Sequence, residues 1–164
     1  PTQFIMRVFD VMRKAEWHTF QVLTKRAERV RELSPVIDWP PNVWMGVSVE
    51  DERVKHRIVD LAATGAAVKF LSMEPLIGAV GAMSLVGIDW VIVGGESGHR
   101  ARPMREEWAL EIRQHCSEAS VPFFFKQAGA VLAKEWGMSG KGTDLSCFPE
   151  ALRVREMPAG TVLA

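Results

Sequence analysis

Two cysteines in 164 residues, Cys116 and Cys147, are too few and too far apart to make a disulfide framework. Neither belongs to a CxxC pair, and the four histidines have no metal-ligand spacing to them or to each other. The thiols read as reduced and structural, and no metal site is expected. No charge of either sign dominates, with 20 Lys plus Arg against 20 Asp plus Glu. Net charge therefore gives no argument for a nucleic-acid or membrane partner. No apolar run approaches the roughly 18 residues of a membrane helix, and no signal peptide opens the chain, so a cytoplasmic location is expected. There is no GxSxG elbow and no evident histidine partner for a nucleophilic serine. With 48% apolar residues, the length suits one domain with a real core. The chain opens on Pro1 and reads at once as helix, which suggests a piece of something longer.

What the chain does have is a polar residue closing each of five apolar runs. Phe20–Thr24 runs into Lys25, Val43–Val49 into Glu50, Val68–Met73 into Glu74, Trp90–Gly95 into Glu96, and Phe123–Phe125 into Lys126. The steps between these ends are 25, 24, 22 and 30 residues. That is about the length of a strand plus a helix, and such alternation indicates βα units and a parallel sheet. In parallel sheets the strand C-terminal ends share one rim, where ligands bind.

Strands are expected around 18–25, 42–50, 67–73, 89–94 and 121–126. Thr2 would cap a first helix carrying Phe4, Ile5, Val8, Phe9 and Met12. Further helices are expected from Ala27 to Leu33, after Asp51-Glu52 with Val54, Ile58, Val59 and Leu61 inward, and from about Pro103 to Ala119. A weakly patterned helix or loop covers 79–87. The fold class is α/β, either an open doubly wound sheet or a partial (β/α) barrel. A full barrel takes about 250 residues, so about five of eight strands are accounted for. Residues 1–128 form the sheet domain and 129–164 an irregular C-terminal extension packed on it. In the barrel case the first strand is an open edge prone to self-association. The six tryptophans read as core more than as a stacking platform.

Several strings in succession carry a resemblance: Phe20–Arg26, Asn42–Glu50, Phe70–Leu76, Asp89–Gly98, Ala101–Met104, Pro122–Gln127 and Leu152–Pro158. Together they resemble an uncharacterised family of phage and bacterial proteins whose full-length members look like radical S-adenosylmethionine enzymes. The likeness spans roughly residues 4 to 158. It implies a radical-SAM-like partial barrel, with about three strands and a cysteine cluster for a [4Fe–4S] centre lying upstream. No cofactor is expected on this chain by itself. S-adenosylmethionine and the cluster belong to the full-length parent, because thiolates are what hold such a centre.

Candidate catalytic or substrate-contacting residues are the strand-end groups Lys25, Glu50, Glu74, Glu96 and Lys126. Glu50 could equally cap the following helix. Ser48 and Ser72 lie on the same strand faces as the glutamates. Gly94, Gly95, Ser97 and Arg102 are the cofactor-binding candidates, because glycines let a ligand approach the backbone. By count from the resemblance this turn follows the seventh barrel strand, where barrels often hold phosphate. Glu96 disfavours a simple anion cradle there and suits a ribose hydroxyl or an amino group better. The implied partner is a small or nucleotide-like ligand. Two other readings stand beside it. One is a phage-associated nucleic-acid binder using His99–Arg105 and the Lys25–Arg31 helix, and the other a truncated inactive remnant.

Overall fold

Each apolar run forms a strand, and the strands lie side by side in the order in which they occur. The computed structural model describes residues 1–159 and 161. In it β1 (Phe20–Thr24), β2 (Val43–Ser48), β3 (Val68–Met73), β4 (Trp90–Gly94) and β5 (Phe123–Gln127) make one open, wholly parallel sheet. A doubly wound sheet reverses its strand order at a switch point. The order here never reverses, so of the two expected arrangements the structure takes the singly wound, partial-barrel one.

β2, β3 and β4 are nearly continuous apolar runs because both their faces are covered, whereas β1 alternates, with Gln21 and Leu23 exposed. Met45, Val47, Leu71, Met73, Val91, Val93, Phe123 and Phe125 face the helical layer. That layer comprises α1 (Thr2–Lys14), α2 (Ala27–Leu33), α3 (Arg57–Ala62), α4 (Glu106–Ala119) and α5 (Gly129–Glu135). The alternate positions Trp44, Phe70, Trp90 and Ile92 form a second cluster, with Phe124 and Met157 packed on it. Trp90 is its centre, edge-on to both Trp44 and Phe124. Gly46 is part of the same packing, since a Cβ there would lie 2.3 Å from the Phe70 ring.

The two sheet edges differ. Residues 154–156 run antiparallel beside β5: Phe125 N–H donates to the Val154 carbonyl, Glu156 N–H to that of Phe123, and Arg155 bridges to Phe124. The Trp90 indole N–H donates to the Glu156 carbonyl at 2.9 Å. β1 pairs with β2 alone, so the open edge is at β1.

Four expectations need correction. The segment from Gly129 begins with α5 and not with irregular chain; Leu132 and Ala133 find cover in the main core, which outweighs a weak local pattern. The helix expected from Pro103 starts at Glu106. Val59 points to solvent, because α3 is only six residues long and Ile58 and Leu61 take its inward face. Thr2 caps nothing; its hydroxyl accepts from Arg29 instead. Of the tryptophans, Trp44 and Trp90 are buried while Trp17 is exposed. Residues 79–87 hold no helix. No helix of the described residues is long and apolar enough to cross a membrane.

Candidate ligand site at the strand C-terminal ends

β1 ends at Thr24, which pairs with Val47, so Lys25 leaves the sheet level with Ser48 and its long side chain reaches forward to Glu50. Lys25 Nζ lies 2.5 Å from Glu50 Oε1, and Arg57 Nη1 lies 3.0 Å from the other carboxylate oxygen. Arg57 also donates to the Ser48 carbonyl at 2.8 Å, tying the start of α3 to the end of β2. Glu50 is only 11% exposed on its side chain, whereas Lys25 is 62% exposed. A carboxylate with that little water needs partners, and Arg57 is the fixed one. The capping role is taken by Asp51, whose carboxylate accepts from the Arg53 backbone N–H. Glu50 is therefore not the helix cap.

Glu74 and Lys126 come from β3 and β5, with β4 between them. Lys126 Nζ reaches Glu74 Oε2 at 3.0 Å, and Gly94 at the end of β4 leaves that oxygen room, since a Cβ there would sit 3.1 Å from it. A register shift between Val93 and Gly94 pairs Gly94 with Gln127 and leaves Lys126 as the extra residue. Such a bulge re-aims a side chain.

Beyond β4 the turn is held from within. Gly95 approaches the backbone of Ala128 and Gly129, and Gln127 Nε2 donates to the Gly95 carbonyl at 2.8 Å. Glu96 receives three hydrogen bonds from Arg102: from Nε at 2.7 Å, Nη2 at 2.9 Å and the backbone N–H at 2.8 Å. Ser97, Gly98, His99 and Arg100 are exposed. Arg102's side-chain and then its backbone hydrogen bond bring the Glu96 carboxyl from its ordinary 4.5 to about 2. A depressed carboxyl contributes stability above its unfolded value, and that contribution is lost as pH falls from 4.5 through about 2. Side-chain carboxyl NMR should give a Glu96 midpoint near 2, and Arg102→Met should return it toward 4.5. An unchanged midpoint in the variant would remove Arg102 as the cause.

The loops after four successive strands close round a pocket of about 320 Å³. Lys25 comes from the first, Glu50, Asp51, Arg53 and Val54 from the second, Pro75 and Ile77 from the third, and Arg102 from the fourth. Of the expected residues it gathers Lys25, Glu50 and Arg102; Glu74, Lys126, Glu96, Gly94, Gly95 and Ser97 lie outside its lining. Sequence reasoning missed Arg53, which lines the pocket, and Arg57, which holds Glu50 from outside that lining. The only signal was their position just after a strand end, where the eye goes to the apolar residues that define the helix. Two further cavities, one at Arg113–Phe123 and one between Trp108 and Trp136, lie on the helical side and hold none of the expected residues. Of the basic stretches proposed for nucleic acid, the first pairs Lys25 with Glu50, Arg29 with Glu32 and Arg31 with Asp60, whereas in the second, among the described residues, the ion pair is Arg102 with Glu96.

Residues 1–162 match the model of a family described as "Protein of unknown function (DUF5131)", and the chain belongs to that family. No curated protein and no solved structure matches it.

Proposed function

We propose that this DUF5131-family chain supplies the ligand-contacting rim of a radical-S-adenosylmethionine-like (β/α)-barrel enzyme. The observation that carries the reading is the pocket built from the loops of four successive parallel strands, which lies where barrel enzymes bind substrate. The polar groups of the rim, Glu50 in the pocket lining and Glu74 outside it, suit a small ligand of mixed charge. Glu50 and Glu74 are shielded carboxylates whose lysine partners are half exposed. Such lysines can turn to a ligand anion while the carboxylates accept from its hydroxyl or ammonium groups. A half-exposed ion pair contributes at most about 1 kcal/mol, so stability alone does not explain two of them at one end of the sheet.

The residues described do not fit an iron–sulfur cluster. Cys116 is buried, and burial pushes its thiol up to about 12, far from the thiolate a cluster needs. Among the described residues no group of three or more His, Cys, Asp or Glu is placed to hold a metal ion. Any cluster would take its thiolates from polypeptide outside these residues, and no step is derived through it here.

The test is iron and sulfide analysis of the native protein purified without oxygen, followed by equilibrium dialysis with S-adenosylmethionine. The reading expects about four iron atoms and four sulfides per chain. It also expects saturable binding that Glu74→Gln weakens about tenfold with an unchanged unfolding midpoint. Absence of both cluster and S-adenosylmethionine binding would overturn it. A large loss of stability in Glu74→Gln would make that carboxylate structural.

A further inference from the structure

The rim pocket holds more positive than negative groups, and its cations keep unused donors. Arg53 spends Nε and Nη2 on the Asp51 carboxylate. Arg102 spends Nε and Nη2 on Glu96. A guanidinium carries five N–H donors in a rigid fork. Among the described residues the Nη1 group of each arginine has no partner. Lys25 Nζ likewise commits itself to Glu50 alone. Three cations thus line the pocket against the two carboxylates Glu50 and Asp51.

The arrangement orients as well as charges. Asp51 and Glu96 each hold one edge of a guanidinium, which fixes the plane of the other edge. The two guanidiniums are close enough for Arg53 to feel the repulsion of Arg102, and Arg102 feels the attraction of Glu50 and Asp51. An anion between the arginines would relieve that repulsion and use the idle donors, forming charge-assisted hydrogen bonds. The glycine turn after β4 has no part in this. Gly95 is closed by the backbone of residues 128–129, Gly94 faces the side chains of Gln127 and Glu74, and Glu96 serves as Arg102's anchor.

We propose that the pocket binds the oxyanion of a small ligand, a phosphate or carboxylate group, between Arg53, Arg102 and Lys25. The proposal rests on the rim being a ligand site and names the chemistry that site takes. The carboxylates Asp51 and Glu96 are positioning residues, acting through the arginines they hold.

The experiment uses ¹⁵N-labelled protein at low ionic strength, where screening is weak. Inorganic phosphate is titrated in one arm and acetate in the other, following the Nε–H resonances of Arg53 and Arg102. Both resonances should move saturably, and the arm with the tighter midpoint identifies which oxyanion the site prefers. Arg53→Gln should weaken binding about tenfold, the loss of one charge-assisted hydrogen bond. Arg53 is 82% exposed, so this variant should fold normally. Lys25→Gln should act in the same direction, and Arg7→Gln on exposed α1 should change nothing. The proposal is overturned if neither anion moves the two resonances, or if both pocket variants bind within about twofold of wild type. Anion binding with neither a cluster nor S-adenosylmethionine binding would leave the pocket standing and remove the radical-enzyme reading. S-adenosylmethionine binding that phosphate and acetate do not perturb would do the reverse.

Discussion

Gly95→Ala should destabilise the protein by about 3 kcal/mol, the upper end of what overpacking usually costs. The added Cβ would lie 2.2 Å from the Ala128 carbonyl oxygen, 2.8 Å from its carbon and 2.9 Å from Gly129 Cα. All three are backbone atoms, so no flexible side-chain end can swing away. Nor can the strands part freely, because Gly95 N–H donates to Gln127 and Ala130 N–H donates to Glu96 across the same gap. Gly129 mirrors the constraint, with φ +79° and a would-be Cβ 2.7 Å from Gly95. For a domain of this size the loss corresponds to a fall of roughly 6–12 °C in the unfolding midpoint. Thermal and urea unfolding should agree on it, and exposed Ser97→Ala should be neutral. A cost below about 1 kcal/mol would mean the β4 and β5 turns move independently, contrary to this packing.

That prediction also bears on why some of the site could be read from the chain and some could not. The central strands were legible because both faces of β2, β3 and β4 are largely buried, which turns each into a nearly unbroken apolar run with a polar stop, whereas edge strand β1 alternates. The stops are rim residues because the strands end there: the two lysines meet water, while Glu50 and Glu74 stay shielded beside them. Sequence order supplied neighbours too, and Lys25 does meet Glu50. What the chain could not disclose was pairing across an intervening strand. Glu74 and Lys126 are 52 positions apart, and they touch past β4, whose Gly94 leaves Glu74 room, with a one-residue bulge at Lys126. The Gly94-Gly95 pair was legible as a place of close approach. Its partner was not, since a ligand and a neighbouring backbone impose the same demand on a glycine. The helix α5 was hidden because its seven residues carry little pattern and derive their order from the core beneath.

Phe148→Ala should cost about 4 kcal/mol, as expected for emptying a fully packed aromatic site. The residue belongs to the segment after α5, yet it is 1% exposed and sits edge-on to Phe125 of β5 at 4.9 Å. Trp136 closes a second side at 6.1 Å, and the Arg155 guanidinium lies over the ring. Arg155 in turn donates to the carbonyls of Thr143 and Lys126, so the ring, the strand cover and the rim lysine's own backbone form one connected unit. Loss of the ring should therefore loosen the 154–156 cover more than the sheet centre. Hydrogen exchange at Phe125 and Glu156 N–H should accelerate well beyond that at Met45 or Val47. If stability fell by less than about 1 kcal/mol with exchange unchanged, the C-terminal segment would be an appendage, and Lys126 would owe its position to β5 alone. The expected result makes that segment the closing edge of the sheet, holding one end of the rim while β1 leaves the other open.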